Sequence, residues 1–447
     1  MRSIAKLMKD WQFTGPDGVT AAVALPHTWN AVDGQDGGND YWRGTCTYRT
    51  SFAAPAFDPA QQQVWLQFEG VNASAAVLLN GQKICAHDGG YSTFRAEVTE
   101  LLQAENQLTV QVDNSVNDRV YPQKADFTFY GGIYRDVSLL VVNKNHIALG
   151  HFGDTGVKIT PDLKEGSADI QVETLVEGEG IVVVELLDAE GSTVAKGEGS
   201  KASLHLDAPH LWNGVKDPYL YTCVVCLMQE GKPVDEVTTK VGLRSFSVDA
   251  KKGFSLNGKP YPLHGVSRHQ DRKGLGNAIT REMHDEDMAL IRELGANTVR
   301  LAHYQHDQYF YDLCDKYGMV VWAEIPYISE HLPNGRENTL SQMKELIHQN
   351  YNHPSIVCWG VSNEITISTK DKADMLDNHR VLNELCHKMD PTRLTTLACY
   401  AMCGPFNPVA HITDLVSWNL YLGWYVPGLF LNDLWMDFFH LVYPNRP

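Results

Sequence analysis

The sequence predicts a multidomain protein, all-β over its first half and α/β over its second. Three observations predict this. Between about residues 40 and 250, apolar and polar residues alternate in short runs divided by turn residues. After Val248, short apolar strands alternate instead with amphipathic helical segments. The chain is 447 residues long, and at about 150 residues per domain that is room for two to four domains.

The strand-rich half supplies its elements in order. Val64, Leu66 and Phe68 alternate with polar neighbours, as do Leu108, Val110 and Val112. Asn80-Gly81 lies between two such runs, the strongest short hairpin signal. Asp136–Val142, Asp169–Val176 and Ile181–Leu187 continue the pattern, with a turn at Glu177-Gly-Glu-Gly180. Strands so spaced, with no long helices between them, predict β-sandwiches. The run is too long for one, so it divides near His146, giving domains 1–145, 146–248 and 249–447.

The last domain opens with a hairpin at Asn257-Gly258 and a first strand at Pro262–Val266. Thr280 is placed to cap a helix with Met283, Met288, Ile291 and Leu294 inward and Gly295 as its stop. Strands are then expected at Thr298–Leu301, Met319–Ala323, Ile356–Val361, Leu394–Leu397 and Leu415–Trp418. Helices are expected near Gln308–Tyr317, Leu340–Tyr351, Ala373–Met389 and Asn432–Val442. Six βα units in a row predict a parallel barrel rather than an open sheet. A (β/α)8 barrel takes about 250 residues, so residues 249–447 are expected to form an incomplete one.

Composition excludes several function classes. The net charge of −17 disfavours a polyanion ligand, since nucleic-acid affinity comes from neutralising phosphates. No run approaches 18 uninterrupted apolar residues, and Met1–Trp11 lacks the apolar core of a signal peptide, so no membrane partner is expected. Nine scattered cysteines suit a reducing, cytoplasmic location. Cys223-x-x-Cys226 lies in a strand-like run that puts the two thiols on opposite faces, which argues against a zinc pair.

A parallel barrel carries its chemistry where strands end. Strand one then delivers His264, Arg268 and His269; strand two Arg300 and His303; strand three Glu324; strand four Asn363-Glu364. Asn419 and Tyr421 follow strand six. Such a rim suits a ligand with many hydroxyls. Glu364 ends an apolar strand beside an amide, where a carboxyl can act as a general acid and the amide can bind a sugar hydroxyl. The same pair could instead cap the following helix. His264, His269, His303 and His306 could form the zinc site of a barrel hydrolase. Trp418, Tyr421, Trp424 and Tyr425 suit either sugar stacking or the core.

Three separated motifs resemble glycoside hydrolase family 2, the family of β-galactosidases and β-glucuronidases. They are Tyr130-Gly-Gly-Ile-Tyr-Arg135-Asp136, Asn297-Thr-Val-Arg300-Leu-Ala-His303-Tyr304 with Asp315–Gly318 and Trp322, and Asn352-His-Pro-Ser-Ile-Val-Cys-Trp359 with Asn363-Glu364. The resemblance covers essentially the whole chain. It implies a jelly-roll sugar-binding domain, an immunoglobulin-like sandwich and a catalytic TIM barrel. The implied reaction is retaining hydrolysis of terminal β-D-galactosides by two glutamates. A β-glucuronidase and a non-catalytic carbohydrate-binding protein are the alternatives. Glu364 matches the acid/base, His269 and His303 substrate-contacting histidines, and Asn363 a hydroxyl ligand. Tyr421 matches a tyrosine beside the nucleophile, and Asp126 an aspartate reaching the sugar from the first domain. The resemblance of Asn419–Tyr425 to β-glucuronidase sequences keeps glucuronides open.

The sequence departs from the family pattern twice. Some β-galactosidases hold magnesium through a Glu-x-His pair; here Ser329-Glu330-His331 puts serine where that glutamate belongs, so no cofactor is expected to be required. The family's nucleophilic glutamate ends strand seven, and no glutamate follows Glu384, so the nucleophile is expected beyond Pro447 and this chain is expected to be inactive or nearly so. An open six-unit barrel should also expose apolar surface and favour self-association, and large family members form homo-oligomers.

Overall fold

A computed structural model describes residues 1–33 and 41–447. The first domain is two antiparallel sheets packed face to face. One has four strands, in the order Ser3–Lys6, Val137–Asn143, Gln62–Phe68 and Phe94–Glu97. The other has six, with Thr45–Ala53 and Glu105–Asp113 at its centre. Val64, Leu66 and Phe68 meet Leu108, Val110 and Val112 in one core, as alternation requires. The hairpin falls at Asn80-Gly81, with φ of 52° and 83°. Two successive positive φ values are what a type I′ turn needs.

The second domain packs a three-stranded sheet on a four-stranded one, around Ile170, Val184, Cys223 and Val225. Cys223 is buried in that core, whereas Cys226 points to the other face, within 3.6 Å of Glu236.

The third domain is a parallel sheet whose strands follow chain order. The strands are β1 (Gly265–Arg268), β2 (Thr298–Leu301), β3 (Val320–Glu324), β4 (Ile356–Asn363), β5 (Leu394–Tyr400) and β6 (Ser417–Asn419). Between and after them lie α1 (Arg281–Glu293), α2 (Gln308–Tyr317), α3 (Arg336–Asn350), α4 (Lys372–Met389) and α5 (Leu431–Val442). All five neighbouring pairs are parallel, and β1 and β6 are the sheet's two edges. No described helix is long and apolar enough to cross a membrane.

Three local expectations are corrected. Thr280 sits at the N-cap of α1, but its hydroxyl makes no capping bond to a backbone N–H. Leu294 is exposed and the inward place is taken by His284, because α1 packs through its His284, Met288 and Ile291 face. Strand one begins at Gly265, so His264 precedes it; the His264 amide is held by Asn297 Oδ1 at 2.8 Å, at the opposite end from the rim.

Apolar side chains are exposed around α5 and the segment after β5: Met402, Phe406, Leu429, Phe430, Leu434, Phe438 and Leu441.

Buried histidines give the fold an acid limit. Burial pushes His284 and His379 down to about 4, and His306 well below its ordinary value. These groups fold neutral, so the unfolded chain takes up their protons first. Their stabilisation is fully present above about pH 6.5 and is lost as pH falls towards 4. At pH 5 each removes about 2 kcal/mol. Glu69, raised to about 7 by burial and then by Asp307 and Asp136, has the opposite slope and offsets one of them. Urea midpoints are therefore expected to fall by several kcal/mol equivalent between pH 7 and pH 5. An unchanged midpoint would contradict this account.

Candidate active site

Parallel order brings the C-terminal ends of β2, β3, β4 and β6 to one side, and four of the expected site residues meet there. Arg300 on β2 is the hub. Its Nε and Nη2 donate to Glu324 Oε2 and Oε1 at 3.0 and 2.9 Å. Nη2 also donates to Asn363 Oδ1 at 2.8 Å. The guanidinium lies 4.3 Å above the Trp322 ring, which supports it from below. Gly360 on β4 makes this stack possible, because a Cβ there would collide with the Trp322 indole and Glu324.

Glu324 is fully buried. Burial alone would raise its pKa, but Arg300 and His303 outweigh that and hold it below the usual carboxylate range. His303 Nδ1 lies 2.7 Å from Glu324 Oε1 and 3.1 Å from Arg300 Nη2, which ties the ring to the same buried pair. His269 is pushed down to about 4 by burial and then by His303, whose ring centroid is 5.1 Å away, so it is neutral at ordinary pH.

Glu364 follows β4 with φ of 47°, in the left-handed region that glutamate rarely occupies. Its amide donates to Ala398 O on β5 at 2.8 Å, and Ile367 N donates back to its carbonyl at 3.1 Å. Strain of this kind persists where surrounding bonds impose it, commonly at functional sites. The carboxyl is half-buried and accepts from Asn419 Nδ2 at 2.9 Å. The same amide donates to Asn363 Oδ1 at 3.1 Å, which links β6 to β4.

Tyr421 is 47% exposed beside this group. Its pKa is raised by burial and then by the negative charges of Glu364 and Asp126. Asp126, exposed on the first domain, is thus within electrostatic reach of both Tyr421 and His269. Asp126, His269, Arg300, His303, Asn363, Glu364 and Tyr421 therefore border one region, open to solvent through Asp126 and Tyr421, whereas Arg268 is buried and turned to Asp287 on α1.

Two alternatives for these residues fail. Asn363 and Glu364 do not cap α4, since Asp371 does so and accepts from Asp374 N at 3.0 Å. The four histidines do not converge. His264 lies at the far end, and His306 is buried between Arg268 (3.1 Å) and Ala302 O (2.9 Å). Of the aromatic candidates, Trp418 packs on Trp435 and Phe439, while Trp424 and Tyr425 are exposed. At the departure from the magnesium pattern, His331 is bonded to Tyr327 OH (2.5 Å) and Asp374 (2.7 Å).

Phe127, Trp322 and Tyr304 also build the site with no role expected for them, although Tyr304 and Trp322 stand within the family-like motif. Phe127 comes from a first-domain loop and stands 4.9 Å from His269 and 5.8 Å from His303. Tyr304 OH is 3.3 Å from His269 Nδ1. Trp322 was detectable as an aromatic on β3 two residues before Glu324; a loop residue such as Phe127 leaves no periodic signal.

Comparison with known proteins covers nearly all of the chain. Residues 38–162 match the family model "Glycosyl hydrolase 2 galactose-binding domain-like", 151–244 match "Glycosyl hydrolases family 2", and 247–444 match "Glycosyl hydrolases family 2, TIM barrel domain". The chain is 38% identical to a beta-glucuronidase of Bacteroides fragilis, over 94% of its own length and 64% of the relative's. It is 31% identical to a beta-galactosidase of Thermoanaerobacter pseudethanolicus, over 83% of its length and 51% of the relative's. It thus spans less than two thirds of either curated relative. It superposes on the crystal structure of an FMN-binding beta-glucuronidase from Facaelibacterium prausnitzii L2-6 with a TM-score of 0.97 at 42% identity, covering all of this chain and 71% of that one.

Proposed function

The chain belongs to glycosyl hydrolases family 2, and from that premise we propose that its barrel rim binds the terminal sugar of a β-glucuronide and uses Glu364 as the acid/base of retaining hydrolysis. The observation that carries this is the Glu364 carboxyl itself. It is half-buried in a strained turn, held by Asn419, and lies next to the Arg300–Asn363 pair.

In the proposed reaction a nucleophile bonds to the anomeric carbon as the glycosidic C–O bond breaks. Glu364 gives its proton to the departing oxygen, then takes one from the water that releases the sugar. Asn363 and Asn419 offer polar atoms to sugar hydroxyls. Arg300 fixes Asn363, and neutral His269 can accept or donate one hydrogen bond.

The glucuronide preference is supported by the names of the relatives at 38% and 42% identity and by the Asn419–Tyr425 segment. The galactoside preference expected first has less support, from the relative at 31%. Calorimetric titration with D-glucaro-1,4-lactone and D-galactono-1,4-lactone tests it. The glucaro-lactone is expected to bind at least about tenfold tighter, a difference of about 1.4 kcal/mol. Tighter galactono-lactone binding would overturn the glucuronide preference, and no binding of either would overturn the sugar site.

A further inference from the structure

The stretch joining the two sandwiches, residues 148–156, meets the C-terminal part of barrel helix α3 at His348 and Gln349, and three side chains with metal-ligating atoms come together there. His151, Asp154 and His348 each bring one such atom within 4.8 Å of the other two. His151 Nδ1 is 2.9 Å from Asp154 Oδ2, and His348 Nδ1 is 3.5 Å from the same oxygen. Ligands about 2.0–2.1 Å from a tetrahedral zinc ion stand about 3.3 Å apart, so both edges need only small adjustments. The two imidazoles meet edge to face, with centroids 4.4 Å apart and planes at 84°.

The outer contacts hold each ligand in place. Asp154 Oδ1 accepts from Gly156 N at 2.8 Å, which leaves Oδ2 to the histidines. Arg95 Nη1 donates to the carbonyls of Asp154 (2.6 Å) and Leu149 (3.0 Å). Phe152, at φ of 46°, stacks on His348 with centroids 4.7 Å apart, and its carbonyl accepts from Gln349 Nε2 at 2.7 Å. Contacts of this kind orient metal ligands. A cavity of about 160 Å³, lined by His151, Asp154, Glu173 and His348 among others, adjoins the cluster. It has room for a water as fourth ligand.

We propose that His151, Asp154 and His348 form a binding site for a borderline divalent cation, zinc foremost, which clamps the linker between the sandwiches to barrel helix α3. Two imidazoles and one carboxylate favour zinc over magnesium or calcium, which take all-oxygen sets. The location gives the clamp a purpose. Helix α3 already receives the first domain through Glu345, bonded to His87 (2.8 Å) and Ser92 (2.5 Å), and through Gln349, bonded to Thr93 (3.0 Å). A metal at His348 adds the linker to the same helix.

The test uses the full 447-residue chain, stripped with a chelator and titrated with zinc by calorimetry, with Tm measured in parallel. One equivalent is expected to bind and to raise Tm. Cobalt(II) in its place is expected to give the visible absorption of a tetrahedral nitrogen–oxygen site. His348→Ala and Asp154→Asn, the latter preserving size, are expected to weaken zinc at least about 100-fold and to abolish the Tm shift. Glu173→Gln, outside the triad, should leave both unchanged. Zinc binding of equal strength in His348→Ala and Asp154→Asn would overturn the site, as would a wild-type Tm that zinc does not move.

Discussion

Arg300→Met is expected to cost about 3–5 kcal/mol of folding stability and to abolish lactone binding. The cost follows from what is left behind. Glu324 is fully buried, and removing its cation leaves an uncompensated charge away from water. Binding is lost because Arg300 also fixes Asn363 and, through it, Asn419 and the Glu364 carboxyl. Urea denaturation measures the first effect and calorimetry the second. A second variant separates them. Arg300→Met with Glu324→Leu removes both charges and is expected to recover much of the stability, since buried pairs exchanged for apolar groups of similar volume are often neutral. Binding should stay lost. If the double variant were as unstable as the single one, the buried charge would not be the cause.

Turnover of aryl β-glucuronides by the 447-residue polypeptide is expected at trace levels only, several orders of magnitude below a retaining enzyme with both carboxyls. Retaining chemistry needs a second carboxyl about 5 Å from the first. Glu324 is committed to Arg300 and His303, and Asp126, the other carboxyl placed at the rim, is exposed on a first-domain loop and is expected to reach the sugar rather than the anomeric carbon. Asp390 and Asp414 precede β5 and β6, at the end of the sheet away from the rim. Azide offers a way to isolate the contribution of Glu364. Entering the face left to the nucleophile, it would bond to the anomeric carbon as the glycosidic bond breaks, giving the inverted α-glycosyl azide. Glu364→Gln should then reduce azide-dependent turnover by about 10²–10⁴-fold for substrates whose leaving group needs a proton. It should do so far less for p-nitrophenolate. An equal loss for both leaving groups would remove Glu364 from the proton transfer. Robust turnover without azide would place a working nucleophile within the chain and overturn this expectation.

Much of the barrel could be read in advance because its signals are local. Gly318 ends α2 in the left-handed conformation, with φ of 76°, a place suited to glycine. The strands at Thr298, Val320, Ile356 and Leu394 are short apolar runs between helical patterns, and all form. Boundaries were less legible. Helix α3 begins at Arg336 rather than near Leu340, because Asn338 in its first turn accepts from Tyr121 N of the first domain at 2.9 Å, a contact that amphipathic spacing does not encode. The exposed Leu294 and the inward His284 show the same limit, since periodicity locates a face but not the neighbour that covers it.

By itself the sequence determined the three-part architecture, the succession of six parallel strands and most of the residues at their ends, His264 being the exception. These depend on spacing within one segment, where pattern and structure share a period. Tertiary structure alone decided that Glu324 is the buried partner of Arg300, that Glu364 is held in a strained turn by Asn419 fifty-five residues away, and that Phe127 and Asp126 border the barrel rim. It also brought His348 to His151 and Asp154 across the domain seam. Such contacts join groups distant in the chain, and their energy comes from burial and charge that exist only once the domains have packed.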